Sequence, residues 1–361
     1  MKTTAPLSKV QYGLYVECVE HQGEACYNIP YIYKLDGSLD EEKLCRAIEA
    51  AVAAHPTLFT HIEQDAEGEP MQSICVDDGF AVVVEHISDI EVEKSKFVQP
   101  FNILTDRLFR IRLLKDACHY YLLQDIHHII SDGTSRKVLL ADIEKAYNGE
   151  QPDEEVLTQA DVAIAECEVR NTPAFEEDKQ WYAQNFDCND CYSPLLPDLE
   201  EEEQKEGKMT RQLSVSIGTV DTFCKTNGIF KSTFITAAYS YLLAKFNNGQ
   251  EALFNTIHNG RADKRLAQSV AMLVKTVPVY AKFTDETTVL EFLQAGQDQM
   301  TGCRQHEAYA YADAVADLGI QAATLFAWHG TLFDSVKFCD KPMTALRLNN
   351  NTREVPLYLK A

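Results

Sequence analysis

Apolar and polar positions along this chain change period repeatedly, and each change marks an element. Residues 6 to 20, PLSKVQYGLYVECVE, place Val10, Leu14 and Tyr15 at helical spacing. YNIPYIYKLDG alternates and ends at Asp36-Gly37, which predicts a strand closed by a turn. SLDEEKLCRAIEAAVAAHP sets Leu44, Ile48, Ala51 and Val52 on one helical face. Ser38 or Asp40 caps it, acids fill its first turn and Pro56 stops it. Strands are expected near 58–64, 71–76, 81–86 and 108–114, and the apolar run 119–130 reads as a buried strand. After Gly133, TSRKVLLADIEKAYNGE predicts a helix capped by Thr134 or Ser135 and ended by Asn148-Gly149. Further on, strands are expected near 211–217, 251–257 and 272–283, and helices near 219–227, 231–246 and 287–301. The chain reads as α/β in both halves.

Composition narrows the functional classes. With 361 residues, 45% of them hydrophobic, the chain can bury the core of two domains or of one two-lobed domain. Its 55 acidic residues against 33 basic ones give a net charge of −22, the wrong sign for a nucleic-acid or anionic-membrane partner. The acidic run LPDLEEEEQKEGK reads as a solvated loop. No apolar segment follows a basic start in residues 1–25, so no secretory signal is expected. No window offers the run of about 18 apolar residues that a membrane helix needs. The eleven cysteines, an odd number scattered singly, fit free thiols in a reducing cytoplasm. One close pair, Cys188 and Cys191, lacks the second CxxC that would complete a zinc site.

One stretch does not follow the pattern. In YYLLQDIHHIISDGTSRKVLL a strongly apolar run presents His127, His128, Asp132 and Gly133. Strand alternation sends His127 and His128 to opposite faces, which argues against joint metal ligation. Standing alone, the pair reads as two polar side chains satisfied in a core. Asp132 changes that reading, because a carboxylate at the end of a buried strand needs an Arg or a hydrogen-bond network to accept it. Gly133 permits a sharp turn and close approach of a substrate to a helix N-terminus. A base, a buried charge and a group of backbone N–H donors suit acyl transfer.

HHIISDG resembles the HHxxxDG signature of the condensation domains of nonribosomal peptide synthetases, within the chloramphenicol acetyltransferase-like acyltransferases. Other segments carry the same resemblance in order. LSKVQYGLY is similar to the family's opening S-x-x-Q helix, AAHPTLFTHI to its H-x-x-L-R-T segment, and TQADVAI to its aromatic-x-D-aromatic-A stretch with Asp161 retained. NGR at 259–261 with VAMLVKTVPVY resembles a later loop and strand, and QHEAYAY is an eroded H-Q-D-Y-P-F. The resemblance implies an α/β sandwich of two acetyltransferase-like lobes forming a V-shaped pseudodimer. The lobes would span residues 1–170 and 211–361, with a connector and acidic loop at 171–210. It also implies that the second lobe is truncated at its C-terminus.

On this resemblance His128 is the catalytic residue, Gly133 lies beside the donor thioester, and His127 supports the lobe. Asp132 pairs with Arg261 and ties the motif to the second lobe. Ser8, Gln11, Asp161 and Tyr309 line the substrate tunnel or hold structure. The implied activity is peptide-bond formation between a donor carrier thioester and the amine of an acceptor aminoacyl carrier thioester. The domain binds no metal or cofactor of its own, and its substrates ride on 4'-phosphopantetheine. Its partners are donor and acceptor peptidyl carrier domains and an adjacent adenylation domain, with the domain itself a cytoplasmic monomer. The rivals are a coenzyme A-dependent O- or N-acyltransferase, an epimerisation domain, and a silent condensation-like recruiter. Departures from the family pattern fall at Phe59 and Tyr280, where Arg is usual, at Lys275 for Asn, and at Ala271 for Gly. These bear on acceptor-side binding and the crossover loop.

Overall fold

The computed structural model describes residues 3–76, 79–187, 192–195, 209–212, 214–328, 337–348 and 358–360. The Cys188 and Cys191 pair and the acidic run 196–208 lie outside the described residues. The described chain forms two compact units. The first holds residues up to 171 together with 259–275 and 337–348; the second holds 172–258, 276–330 and the C-terminal strand, within what is described. Residues 259–275, expected with the C-terminal lobe, therefore pack in the first unit.

The first unit opens with β1 (Thr3–Pro6), α1 (Lys9–Glu20), β2 (Asn28–Asp36) and α2 (Glu41–Ala53). It continues through β3 (Thr60–Gln64), β4 (Pro70–Ile74), β5 (Val84–His86), α3 (Ile90–Phe97), β6 (Phe109–Lys115) and β7 (His119–His127). α4 (Gly133–Tyr147) and α5 (Gln159–Val169) follow. β1, α3 and α5 are too short or too weakly periodic to be read from pattern. Asp40, not Ser38, caps α2 through the Lys43 N–H.

The second unit contains α6 (Pro173–Asn185), α7 (Ile217–Asn227), α8 (Lys231–Phe246), β8 (Glu251–His258), β9 (Lys275–Lys282), α9 (Val289–Gln305), α10 (Tyr311–Leu318) and β10 (Leu325–Ala327). A hairpin of β11 (Lys337–Phe338) and β12 (Lys341–Pro342) then precedes β13 (Thr344–Arg347), which pairs with β2 in the first unit. β14 (Tyr358–Lys360) completes a sheet ordered β14-β10-β8-β9. No strand forms at 211–217 among the described residues, because Ser216 caps α7 there.

β7 is the middle strand of the five-stranded sheet β13-β2-β7-β6-β5, which explains its near-continuous apolar run. Alternation divides its side chains between two cores. Tyr120, Leu122 and Ile126 join α2 and α4 residues such as Leu44, Ile48, Leu139 and Ile143. Tyr121 and Leu123 join Ile32, Leu114 and Phe97 of α3 on the other side. In the second unit β8 divides in the same way, with Leu253 in one core and Phe254 in another.

A charged cluster lies inside the first unit. His55, fully buried after α2, has Nε2 3.0 Å from Asp142 of α4 and Nδ1 3.3 Å from Glu155. Glu155 also accepts the N–H groups of Thr57 at 3.1 Å and Val270 at 2.9 Å, so it joins three segments. Burial disfavours a charged ring, but the two carboxylates outweigh it and His55 is raised above the ordinary histidine value. The folded state thus holds a proton that the unfolded chain releases near pH 6.5. Stability from His55 is complete below about pH 6.5 and is lost as pH rises through the folded value. Unfolding temperatures measured from pH 6 to 9 should fall with pH, and the slope should flatten in His55→Gln. An equally steep slope in that variant would assign the effect to other groups.

Candidate active site

The motif sits where β7 ends, and the two histidines separate for a reason other than strand alternation. The strand stops at His127, and His128 opens a 3₁₀ turn, His128–Ile130, that precedes the α4 cap. The His127 ring is buried. Its Nδ1 accepts the Ile129 N–H at 3.1 Å, which fixes the proton on Nε2, 3.6 Å from the Cys18 sulfur. Phe101 meets the ring edge-to-face at 5.9 Å. Burial first, and then the neighbouring His128 and Arg110, depress His127 to about 3, so it stays neutral.

His128 is half-buried, and its partners select the opposite tautomer. Its Nδ1 lies 2.9 Å from the Ser131 carbonyl, which can only accept, so Nδ1 carries the proton. With Nδ1 so committed, Nε2 is the nitrogen left to carry the lone pair that a general base requires. The Ile129 carbonyl of the same turn accepts a hydrogen bond at 3.0 Å from Gln11 of α1. Gln11 is fully buried, exchanges hydrogen bonds with Gln72 and forms a capping box with Ser8. Ser8 and Gln11 therefore brace the motif from beneath.

Asp132 is the N-cap of α4, a role that the pattern assigned to Thr134 or Ser135. Its Oδ1 accepts the N–H groups of Thr134 at 3.0 Å and Ser135 at 2.9 Å. Its Oδ2 accepts the Leu273 N–H at 3.2 Å and Arg261 Nη1 at 2.7 Å, and Arg261 Nη2 reaches Oδ1 at 3.1 Å. Arg261 also donates to the carbonyls of Asn259 at 3.1 Å and Ser269 at 3.0 Å. Both partners are almost wholly buried, at 3% and 0% side-chain exposure. Since residues 259–275 belong to the first unit, the pair closes that unit upon itself. Ser135 Oγ accepts the Ala271 N–H at 3.0 Å, and Gln159 holds the Met272 N–H at 2.6 Å. Ala271 is fully buried here.

Two glycines differ in what they do. Gly260 has φ +64°, and a Cβ there would lie 1.8 Å from the Leu273 carbonyl oxygen, so no side chain fits. Gly133 is the first residue of α4, is not left-handed, and a Cβ there would meet nothing within 4 Å. The fold does not demand glycine at 133 for turning; the space beside it is open.

Other residues singled out in the sequence lie elsewhere. Asp161 completes the capping box of α5, whose N-cap is Thr158, by accepting the Thr158 N–H at 2.8 Å. Tyr309 is buried in the second unit, where its hydroxyl donates toward Asp317 at 3.1 Å. Phe59 is core, edge-on to Phe109 at 5.7 Å, and Tyr280 donates to Glu251 at 2.6 Å. The supports that pattern reading missed are Glu155, Gln159, Ser135 and Gln72. Glu155 in PDEEVL and Ser135 in DGTSRK stand among polar neighbours, so no local signal marks them as buried supports. Removing Arg261 strands a buried carboxylate at a cost of about 3–5 kcal/mol. Arg261→Ala should therefore lower the unfolding temperature together with activity. Arg261→Lys should restore only part of the stability, since one ammonium cannot reproduce the forked contacts. A stable but inactive Arg261→Ala protein would assign Arg261 to substrate contact instead.

Known proteins share the sequence pattern and the fold of this chain. The family model described as Condensation domain matches residues 1–335. The chain is 28% identical over 323 residues to tyrocidine synthase 3 of Brevibacillus parabrevis, covering 87% of this chain and 5% of that protein. It is 29% identical over 328 residues to tyrocidine synthase 2 of the same organism, covering 87% of this chain and 9% of that protein. The chain thus spans a small fraction of these relatives. Among solved structures, the first condensation domain of the CDA synthetase aligns with TM-score 0.77 and 16% identity, over 99% of this chain and 89% of that one. The condensation domain of the Monacolin K polyketide synthase MokA aligns with TM-score 0.79 and 16% identity, over 97% and 87%. The chain belongs to the condensation-domain family.

Proposed function

We propose that this chain transfers an aminoacyl, peptidyl or acyl group from a donor carrier thioester to the amine of an acceptor aminoacyl carrier thioester, with His128 as the base. The observation that carries the reading is the His128 tautomer, with Nδ1–H held by the Ser131 carbonyl and a lone pair left on Nε2. The amine nitrogen attacks the thioester carbonyl, Nε2 takes the ammonium proton from the tetrahedral adduct, the C–S bond breaks, and the departing sulfur takes that proton back. His127 stays neutral and serves as the fixed support of the turn. The open space at Gly133 suits passage of the donor arm to the start of α4. The substrates ride on 4'-phosphopantetheine of donor and acceptor carrier domains, and an adenylation domain lies adjacent in the same assembly. The domain acts as a cytoplasmic monomer and holds no cofactor itself.

An α-amine has a reference pKa of about 7.7, so roughly a sixth is neutral at pH 7 without help. An alcohol, with acidity near the 15.7 or so of water, depends on base assistance. His128→Ala should therefore reduce ester formation by on the order of 100-fold or more, and amide formation by less. Paired amine and alcohol acceptors read by intact mass test this, and equal losses would remove His128 from the base role. Acceptor carrier that gains the donor acyl mass with wild type establishes carrier-to-carrier transfer. No gain across a broad aminoacyl panel would point to the coenzyme A-dependent acyltransferase or the silent recruiter.

A further inference from the structure

Asp125 lies two residues before His127 on the same face of β7, fully buried in the sheet. Two contacts reach it. Asn28 of β2 donates to Oδ2 at 2.7 Å, and Arg110 of β6 approaches the same oxygen at 3.2 Å. Oδ1 is buried with no hydrogen-bond partner among the described residues. Burial first, against Asn28 and Arg110, lifts Asp125 to about 6. A carboxylate this poorly satisfied is an expensive residue for the middle strand of a sheet. Its place beside the motif points to a reason other than stability.

The reason lies in what its two partners hold. Arg110 Nη1 also donates to the Gln99 carbonyl at 2.6 Å, and Nη2 to the Pro100 carbonyl at 2.9 Å. Asn28 donates to the Gln99 carbonyl as well, at 2.9 Å. The Arg110 guanidinium lies 3.6 Å from the centre of the Phe101 ring, and that ring meets His127. Residues 99–101 are thus fastened across the end of β7, with Phe101 pressed on the imidazole that accepts the Ile129 N–H. We propose that Asp125 is a positioning residue: by orienting Arg110 and Asn28 it seats Phe101 on His127 and so fixes the turn that carries His128. This rests on the reading of His128 as the base.

The stability sign separates this role from a structural one. The folded value exceeds the ordinary aspartate value of about 3.9, so ionising Asp125 costs stability as pH rises through about 6. The charged group facing it is Arg110 of β6, and His127, the next residue on its face of β7, is neutral. Asp125→Asn keeps the shape, removes the charge, and leaves Arg110 partly solvated at 29% exposure.

At pH 7.5 the Asp125→Asn protein should unfold at the same or a higher temperature than wild type. Its kcat for carrier-to-carrier amide formation should fall by roughly tenfold to a hundredfold, with KM for the acceptor carrier nearly unchanged. In ¹⁵N-histidine spectra the His127 Nε2–H signal should shift or broaden, and Phe101→Leu should produce the same spectral change. Unaltered kcat with an unaltered ring signal would overturn the proposal. So would a loss of folding that accounts for the whole loss of activity. If wild type shows no transfer at all, the reading of the function fails, while the ring signal still decides whether Asp125 seats His127.

Discussion

A carboxylate and a guanidinium that are both almost completely out of water govern the first unit. Asp132 and Arg261 form a forked pair, and every remaining oxygen lone pair in reach is used by the α4 N-terminus and by Leu273. Such a pair is tolerable only when its hydrogen bonds are nearly complete, and among the described residues Arg261 Nε is its one polar atom without a partner. Completion requires the start of α4, the Gly260 turn and the carbonyls of Asn259 and Ser269 to be in place together. The turn bearing His128 sits between β7 and this helix start, so its geometry follows from the same constraint.

Three histidines in one unit show how surroundings assign roles to one side chain. His55, between two buried carboxylates, is drawn toward its charged form. His127, buried without a carboxylate in contact, is held neutral and becomes a hydrogen-bond acceptor for the backbone. His128 leaves the strand through a 3₁₀ turn and remains half-buried, with one nitrogen committed to a carbonyl. Adjacent identical residues thus end in different surroundings, one ring buried and accepting a backbone N–H, the other half-buried and facing a backbone carbonyl.

The supports around the motif come from distant parts of the chain. Gln11 reaches the Ile129 carbonyl from α1, Gln159 takes Met272, and Glu155 joins Val270 to Thr57 and His55. All are polar side chains buried with their partners, which gives a single arrangement rather than a family of packings. The segment 259–275 is the beneficiary, because it offers backbone N–H groups where a regular strand would have paired them.

Much of this was decided locally. The amphipathic face of α2, the apolar run of β7 and the stop at Asn148-Gly149 are properties of neighbouring residues, so the sequence alone determined those elements and the α/β class. The motif residues and the need of Asp132 for an arginine were legible for the same reason: a buried charge without a partner is physically excluded. What the tertiary structure decided is non-local. That residues 259–275 pack with the first unit and that Phe59 is core depend on partners up to about 140 positions away. The tautomers of His127 and His128 were not legible either: the Ile129 N–H and the Ser131 carbonyl that choose them are near in sequence but reach the rings only because the chain makes the 3₁₀ turn there. A linear pattern records which residues prefer burial or a turn, and only the folded chain determines which groups meet.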